Sequence, residues 1–180
     1  MRPGAFPAKR PSATEAEEGS AGSLGVLIRS RTWPVWTGVA AIAVFVLDRV
    51  SKYWVTHSLT LGEQLFPSWP VHIYYTINSG AAFSILPDAD WLFLAVAVGV
   101  VVVIGWKWRL LALQPGWVQA GVGLLLGGAL ANAVDRVTQG YVVDFIQFPH
   151  WPIFNVADSG ITVGVVILVV RITIAGRASA

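Results

Sequence analysis

Four apolar runs, each near the length that crosses a bilayer as a helix, alternate with polar connections along this chain. The first extends from about Trp33 to Val55, the second from about Ala89 to Trp108, the third from about Trp117 to Val134 and the fourth from about Val156 to Ala175. About 20 helical residues cover the hydrocarbon core, so each run predicts one transmembrane helix. The first and fourth reach that length only by taking in polar residues. Asp48, Arg49 and Lys52 fall late in the first, and Asp158 opens the fourth. Between the first two runs the pattern changes. Val71 to Ile77 is rich in β-branched and aromatic residues, and Pro67 and Pro70 punctuate the approach, which predicts a small β-ribbon. The expected fold is an all-α membrane protein: four transmembrane helices with a small β-ribbon on the outer face.

Residues 1–32 mix Pro3, Pro7, Pro11 and several glycines with Ser, Thr and three glutamates, without apolar periodicity. They are expected to form a disordered cytoplasmic tail, followed by a four-helix transmembrane domain over 33–180. A cleaved signal peptide fits poorly, because the apolar run starts late and leads into Asp48-Arg49 without a small-residue cleavage site. Composition agrees with the membrane reading. Of the 180 residues, 55% are hydrophobic and 12% charged, against about 25% charged in a soluble domain. Many of the nine tryptophans end apolar runs, at headgroup depth. A net charge of +2 gives no footprint for nucleic acid, and the lack of cysteine excludes disulfides, thiolate metal sites and thiol nucleophiles. Nine of the twelve Lys and Arg residues precede the first run, join the second and third, or follow the fourth. By the positive-inside bias both termini are cytoplasmic. Seven acids, Asp48, Glu63, Asp88, Asp90, Asp135, Asp144 and Asp158, then belong to the outer half.

Two of these acids carry the candidate chemistry. Asp144 and Asp158 bracket one short segment that is strongly apolar for an exposed loop: Phe145, Ile146, Phe148, Trp151, Pro152, Ile153 and Phe154. Such a segment is expected to dip into the interface and bring the two carboxylates together. A carboxylate at bilayer depth costs about 2.5–3.5 kcal/mol on insertion scales, so a pair there suggests a purpose. Two carboxyls in a partly desolvated site share one proton, which suits aspartic proteolysis: one takes a proton from water, the other polarises the amide. From the residues alone a second reading stands beside it, in which both are solvated loop acids and Asp158 caps the fourth helix. Asn132 and Asn155 each sit near an aspartate and either orient it or serve as helix-end polarity. Arg136 either binds a phosphate or carbonyl with its planar fork, or snorkels. Asp135, one turn after Asn132, reads as a structural or pairing residue, and Asp48 with Lys52 forms an i,i+4 pair.

Five blocks of sequence resemble one known family. They are Asp48-Arg49-Val50-Ser51-Lys52; Asn78-Ser79-Gly80-Ala81-Ala82-Phe83; Gly127 to Arg136; Gly140-Tyr141-Val142-Val143-Asp144-Phe145; and Phe154-Asn155-Val156-Ala157-Asp158-Ser159. In this order they resemble the signature blocks of lipoprotein signal peptidase, or signal peptidase II, over residues 36–175. The resemblance implies a four-helix aspartyl protease of the bacterial inner membrane. Such enzymes cut signal peptides from prolipoproteins just before a diacylglyceryl-modified lipobox cysteine. It implies a catalytic pair Asp144 and Asp158, substrate-contact or support roles for Asn78, Asn132, Arg136 and Asn155, and structural support from Asp48 and Lys52. Membrane lipids as partners, inhibition by globomycin-type compounds and no cofactor also follow from it. Ala131 stands where many members have glycine, and the segment between the aspartates looks shorter than in several relatives.

Other chemistries find little support. His57, His72 and His150 lack metal-ligand spacing. Ser51 and Lys52 are adjacent on a helix and point about 100° apart, so they cannot readily share a proton. A proton-relaying transporter is expected to place charges toward the midplane, and the central stretches of these runs have none.

Overall fold

The computed structural model describes residues 33–80 and 90–178. The tail over 1–32 and the small-residue stretch 81–84 therefore lie outside the described residues. Four helices and three strands follow in the order α1 (Val35–Ser58), β1 (Gln64–Leu65), β2 (His72–Asn78), α2 (Asp90–Ala112), α3 (Gly116–Gln139), β3 (Val142–Gln147) and α4 (Val156–Ala178).

Helix α3 is the centre of the bundle, with α1 and α4 packed closely on it and α2 resting more lightly against it. Its glycines explain the close packing. A Cβ on Gly123 would lie 2.4 Å from the Thr37 carbonyl oxygen, and one on Gly127 would lie 2.3 Å from that of Ala41, so this Gly-x-x-x-Gly edge meets α1 backbone to backbone. On the opposite edge a Cβ on Gly128 would come 2.4 Å from the Ala157 oxygen of α4. Gly140 ends α3 in the left-handed region (φ 75°), and its N–H returns to the Arg136 carbonyl.

Three helices, α2, α3 and α4, are long and apolar enough to cross a membrane. Helix α1 is equally long but carries Asp48, Arg49 and Lys52 in its second half. Its polarity is inverted relative to a helix in water. Thr37, Val44, Asp48, Lys52 and Val55 form the buried stripe, while Val39, Ile42, Val46 and Val50 are exposed. Helices α2 and α3 both run beyond the apolar stretches: Arg109 belongs to α2, and Asp135 and Arg136 to α3.

The strands form one antiparallel sheet in the order β1-β2-β3. The expected ribbon is present as β1 and β2. The segment after Arg136, read from sequence as an interfacial loop, supplies a third strand instead. It pairs with β2 with Thr76 opposite Asp144 and Asn78 opposite Val142. Val142, Val143, Asp144 and Phe145 are all buried, so the strand lacks the polar alternation that would have marked it. Val143 and Phe145 pack with Val55 and Leu59 of α1, which anchors the sheet to the bundle. Asp144 takes the alternate direction.

Candidate active site

Asp158 is the third residue of α4, and Asn155 is its N-cap. The Asn155 Oδ1 accepts the Asp158 N–H at 2.9 Å while Asp158 Oδ2 accepts the Asn155 N–H at 3.2 Å. This reciprocal capping box fixes the Asp158 carboxylate at the positive end of the helix. Asp158 is thus not the cap itself, as one reading of the sequence had it. Asp48 reaches across from α1 and accepts another free helix-end donor, the Ala157 N–H, at 2.9 Å.

Asp144 arrives from the sheet. After β3 the chain folds back tightly, and Ile146 and Phe154 exchange backbone hydrogen bonds of 2.8 and 3.1 Å. That return, with Phe148 stacked on Phe154, carries the chain from Asp144 to the start of α4 in a few residues. The Asn155 Nδ2 then donates to Asp144 Oδ1 at 2.7 Å. On β2, Asn78 lies diagonal to Asp144 on the same face and donates to its Oδ2 at 3.0 Å. Asn132 of α3 completes the set by donating to Asp158 Oδ1 at 2.7 Å.

Asp144, Asp158, Asn78, Asn132 and Arg136 line one cavity of about 610 Å³, walled by Phe93, Val96 and Ile161 and by the 150–154 turn. Arg136 lies 4.4 Å from the Phe93 ring centre. Burial, and after it the neighbouring Asp158 carboxylate, push the Asp144 carboxyl up to about 6, against the opposing donors Asn78 and Asn155 and the Lys52 charge. Among the described residues, no group of three or more His, Asp or Glu side chains is placed to hold a metal ion.

Asp135 does not enter this cavity. Fully buried, it pairs with Arg49 and, at 2.7 Å, with Lys52, rather than with its neighbour Arg136. Lys52 also lies 2.7 Å from Asp48, as the i,i+4 spacing predicts, and it donates to Asn132 Oδ1 at 2.9 Å. Three residues near the site had not been singled out: Arg49, His150 and Trp151. Arg49 stands inside the Asp48–Lys52 block, a position that could have flagged it. His150 and Trp151 line the cavity from a turn in which His150 has φ 62°. Their place in the apolar segment between the two aspartates was the one signal that could have found them.

Fold and site together define a membrane helix bundle that turns two sheltered carboxylates into one largely apolar cavity. Comparison with known proteins places it more closely. The family model described as signal peptidase (SPase) II matches residues 40–174. A lipoprotein signal peptidase of Nostoc punctiforme is 41% identical over 140 residues, which is 73% of this chain and 85% of the relative. One from Streptococcus pyogenes is 40% identical over 138 residues, 73% of this chain and 89% of the relative. A solved structure of a bacterial membrane enzyme, determined by the in meso method at 2.3 Å, superposes with a TM-score of 0.68 at 29% identity. The match covers 76% of this chain and 87% of the other. The chain belongs to the signal peptidase II family, and it is a membrane peptidase.

Proposed function

We propose that Asp144 and Asp158 are the hydrolytic pair with which this peptidase removes signal peptides from prolipoproteins, cutting before the diacylglyceryl-modified lipobox cysteine. The ionised carboxylate takes a proton from water as the water oxygen attacks the scissile carbonyl carbon. The protonated carboxyl donates to the carbonyl oxygen. The leaving nitrogen is then protonated by the pair as the C–N bond breaks. The observation that carries this reading is the cavity both carboxylates line, behind which the buried Asn155 side chain donates to the Asp144 carboxylate and accepts the Asp158 N–H. No cofactor enters the scheme.

Residues 33–180 form the peptidase domain in this reading, and α1 is its fourth span. The inverted polarity of α1 supports this, since Asp48 and Lys52 are buried and paired and the outward stripe is apolar. The positive-inside bias puts both termini in the cytoplasm and the sheet outside. A second, apolar groove of about 670 Å³ between α2, α3 and α4 shares Val96 with the aspartate cavity. It suits the apolar stretch of the signal peptide, while the substrate's acyl chains remain among membrane lipids. Arg136, at the cavity wall, suits a substrate carbonyl or lipid phosphate. Globomycin-type inhibitors are expected to compete for the same cavity.

The test is cleavage of a diacylglyceryl-modified prolipoprotein in detergent by the wild type, Asp144→Asn and Asp158→Asn. Each variant should bind substrate and lose turnover on the order of 10³-fold. Normal cleavage by either one would remove the pair and leave the hydrolytic group to be found elsewhere in the cavity.

A further inference from the structure

Behind the aspartate pair lies a buried cation that the hydrolytic scheme above does not use. The Lys52 side chain is 2% exposed. Its ammonium lies 2.7 Å from an oxygen of Asp48 and 2.7 Å from an oxygen of Asp135, and it donates its remaining bond to Asn132 Oδ1. Arg49 closes the cluster against Asp135. Two cations and two carboxylates balance, so the cluster could be no more than a clamp between α1 and α3. The link to Asn132 makes it more than that. We propose that Lys52 is a positioning residue for peptide hydrolysis: acting through the Asn132 amide, it fixes Asp158 as the charged member of the pair and leaves Asp144 to carry the proton. The inference rests on the Asp144/Asp158 reading above.

The amide has only one workable orientation. Asn132 Oδ1 receives the Lys52 ammonium at 2.9 Å and the Asn155 Nδ2 at 3.2 Å. An ammonium has donors and no acceptor, so the reversed amide would set its NH₂ against two donors. Asn132 Nδ2 is therefore held toward Asp158 Oδ1 at 2.7 Å. An N–H group polarised by an ammonium on the far side of its own amide is a stronger donor, and it favours an ionised acceptor. The other Asp158 oxygen takes the Asn155 N–H within the capping box, at the positive end of α4.

Asp144 also feels the Lys52 charge, but its hydrogen bonds come from amides that the ammonium does not polarise. It sits on a strand, whose dipole is small, is 3% exposed, and among the described residues receives the neutral amides of Asn78 and Asn155. Among the described residues, Asp48 of α1 also faces Asp158 from the Ala157 N–H, its charge offset by Lys52, and Arg136 of α3 and His150 of the 148–154 turn line the cavity both aspartates share. Lys52, acting through Asn132, and the α4 terminus separate one aspartate from the other. A lysine suits this place because its compact ammonium offers three separate bonds to three acceptors on two helices.

Removing Lys52 alone would leave Asp48 without its cation, so the test uses the charge-balanced Lys52→Met/Asp48→Asn double variant. Asn132→Leu, which keeps the ion pairs but removes the amide joining Lys52 to Asp158, and with it the acceptor of the Asn155 Nδ2, serves as the second. In both, kcat should fall about tenfold or more while KM stays within about threefold. The alkaline limb of the kcat profile should move up by about one pH unit, because a less stabilised anion lets the pair keep its proton longer. Wild-type kcat and limb in either folded variant would overturn the role of Lys52.

Infrared pH titration tests the proton's place without either variant. The component of the protonated-carboxyl stretch from the pair that appears at the highest pH should vanish in Asp144→Asn and persist, titrating lower, in Asp158→Asn. The reverse pattern would overturn the proposal. The two readings fail separately. Full cleavage by the aspartate variants removes the pair itself, whereas inactive aspartate variants beside unchanged Lys52 and Asn132 variants remove only the positioning role.

Discussion

At the scale of single residues, Asp144 and Asp158 are the same side chain in two environments. One opens a helix whose terminus stabilises negative charge; the other lies in a buried strand. The consequence for pH is definite in sign. Burial and the neighbouring carboxylate raise Asp144 to about 6, so above that value it gives up its proton and the pair loses its acid. The kcat/KM for prolipoprotein should therefore decline on the alkaline side with an apparent pKa of about 6, a steady-state measurement in detergent over a range of buffers. A flat profile from about pH 5 to about pH 8 would rule out Asp144 as the titrating acid. The carboxylates themselves were legible in the sequence because charge is scarce in such a chain and their apolar flanks are unusual. The work of Asn155 was only partly legible. Proximity to Asp158 was evident, but its reach to Asp144 depends on a chain reversal that hydropathy does not encode.

Among the elements, the apolar runs located all four helices but cut α2 and α3 short, because hydropathy falls where charges begin. The helices continue there because the charges are accommodated. Asp135 is neutralised by Arg49 and Lys52, which lie more than eighty residues earlier in the chain. Strand β3 was missed for a related reason: a strand buried on both faces reads as one apolar run interrupted by Asp144. The glycines of α3 set how closely its neighbours approach, and the structure makes that testable. Gly127→Ala would drive a Cβ to 2.3 Å from the Ala41 carbonyl oxygen, a backbone atom with little room to yield. It should destabilise the bundle by about 1–3 kcal/mol, seen as a lower unfolding temperature in detergent. Gly105→Ala on α2 meets nothing within 4 Å and should be neutral or stabilising by about 0.5–1 kcal/mol, since alanine is the better helix former. Equal gains at both positions would show that helix propensity, not the α1–α3 approach, decides stability.

For the molecule as a whole, the polar groups are gathered at the sheet end of the bundle, and the other end carries Lys107, Arg109, Arg171 and Arg177. A membrane sorts these ends, because basic connections are retained on the cytoplasmic side. In the orientation proposed above, these charges put the sheet end, and the meeting with substrate, outside. The absence of cysteine makes this measurable without background. Ser68→Cys places a thiol in the exposed approach to β2, at the sheet end. Leu113→Cys places one in the α2–α3 connection, where the native side chain is 70% exposed. In intact cells stripped of their outer barrier, a membrane-impermeant maleimide should label the first variant and spare the second. After permeabilisation it should label both. Reversed labelling would put the aspartate cavity on the cytoplasmic side, where an exported signal peptide's cleavage site would not be presented. A sheet-end thiol shielded in intact cells and reactive only in detergent would mean instead that the sheet lies within the headgroup layer. In that case the cavity opens sideways to lipid, and substrate would enter from the plane of the membrane rather than from the water above it.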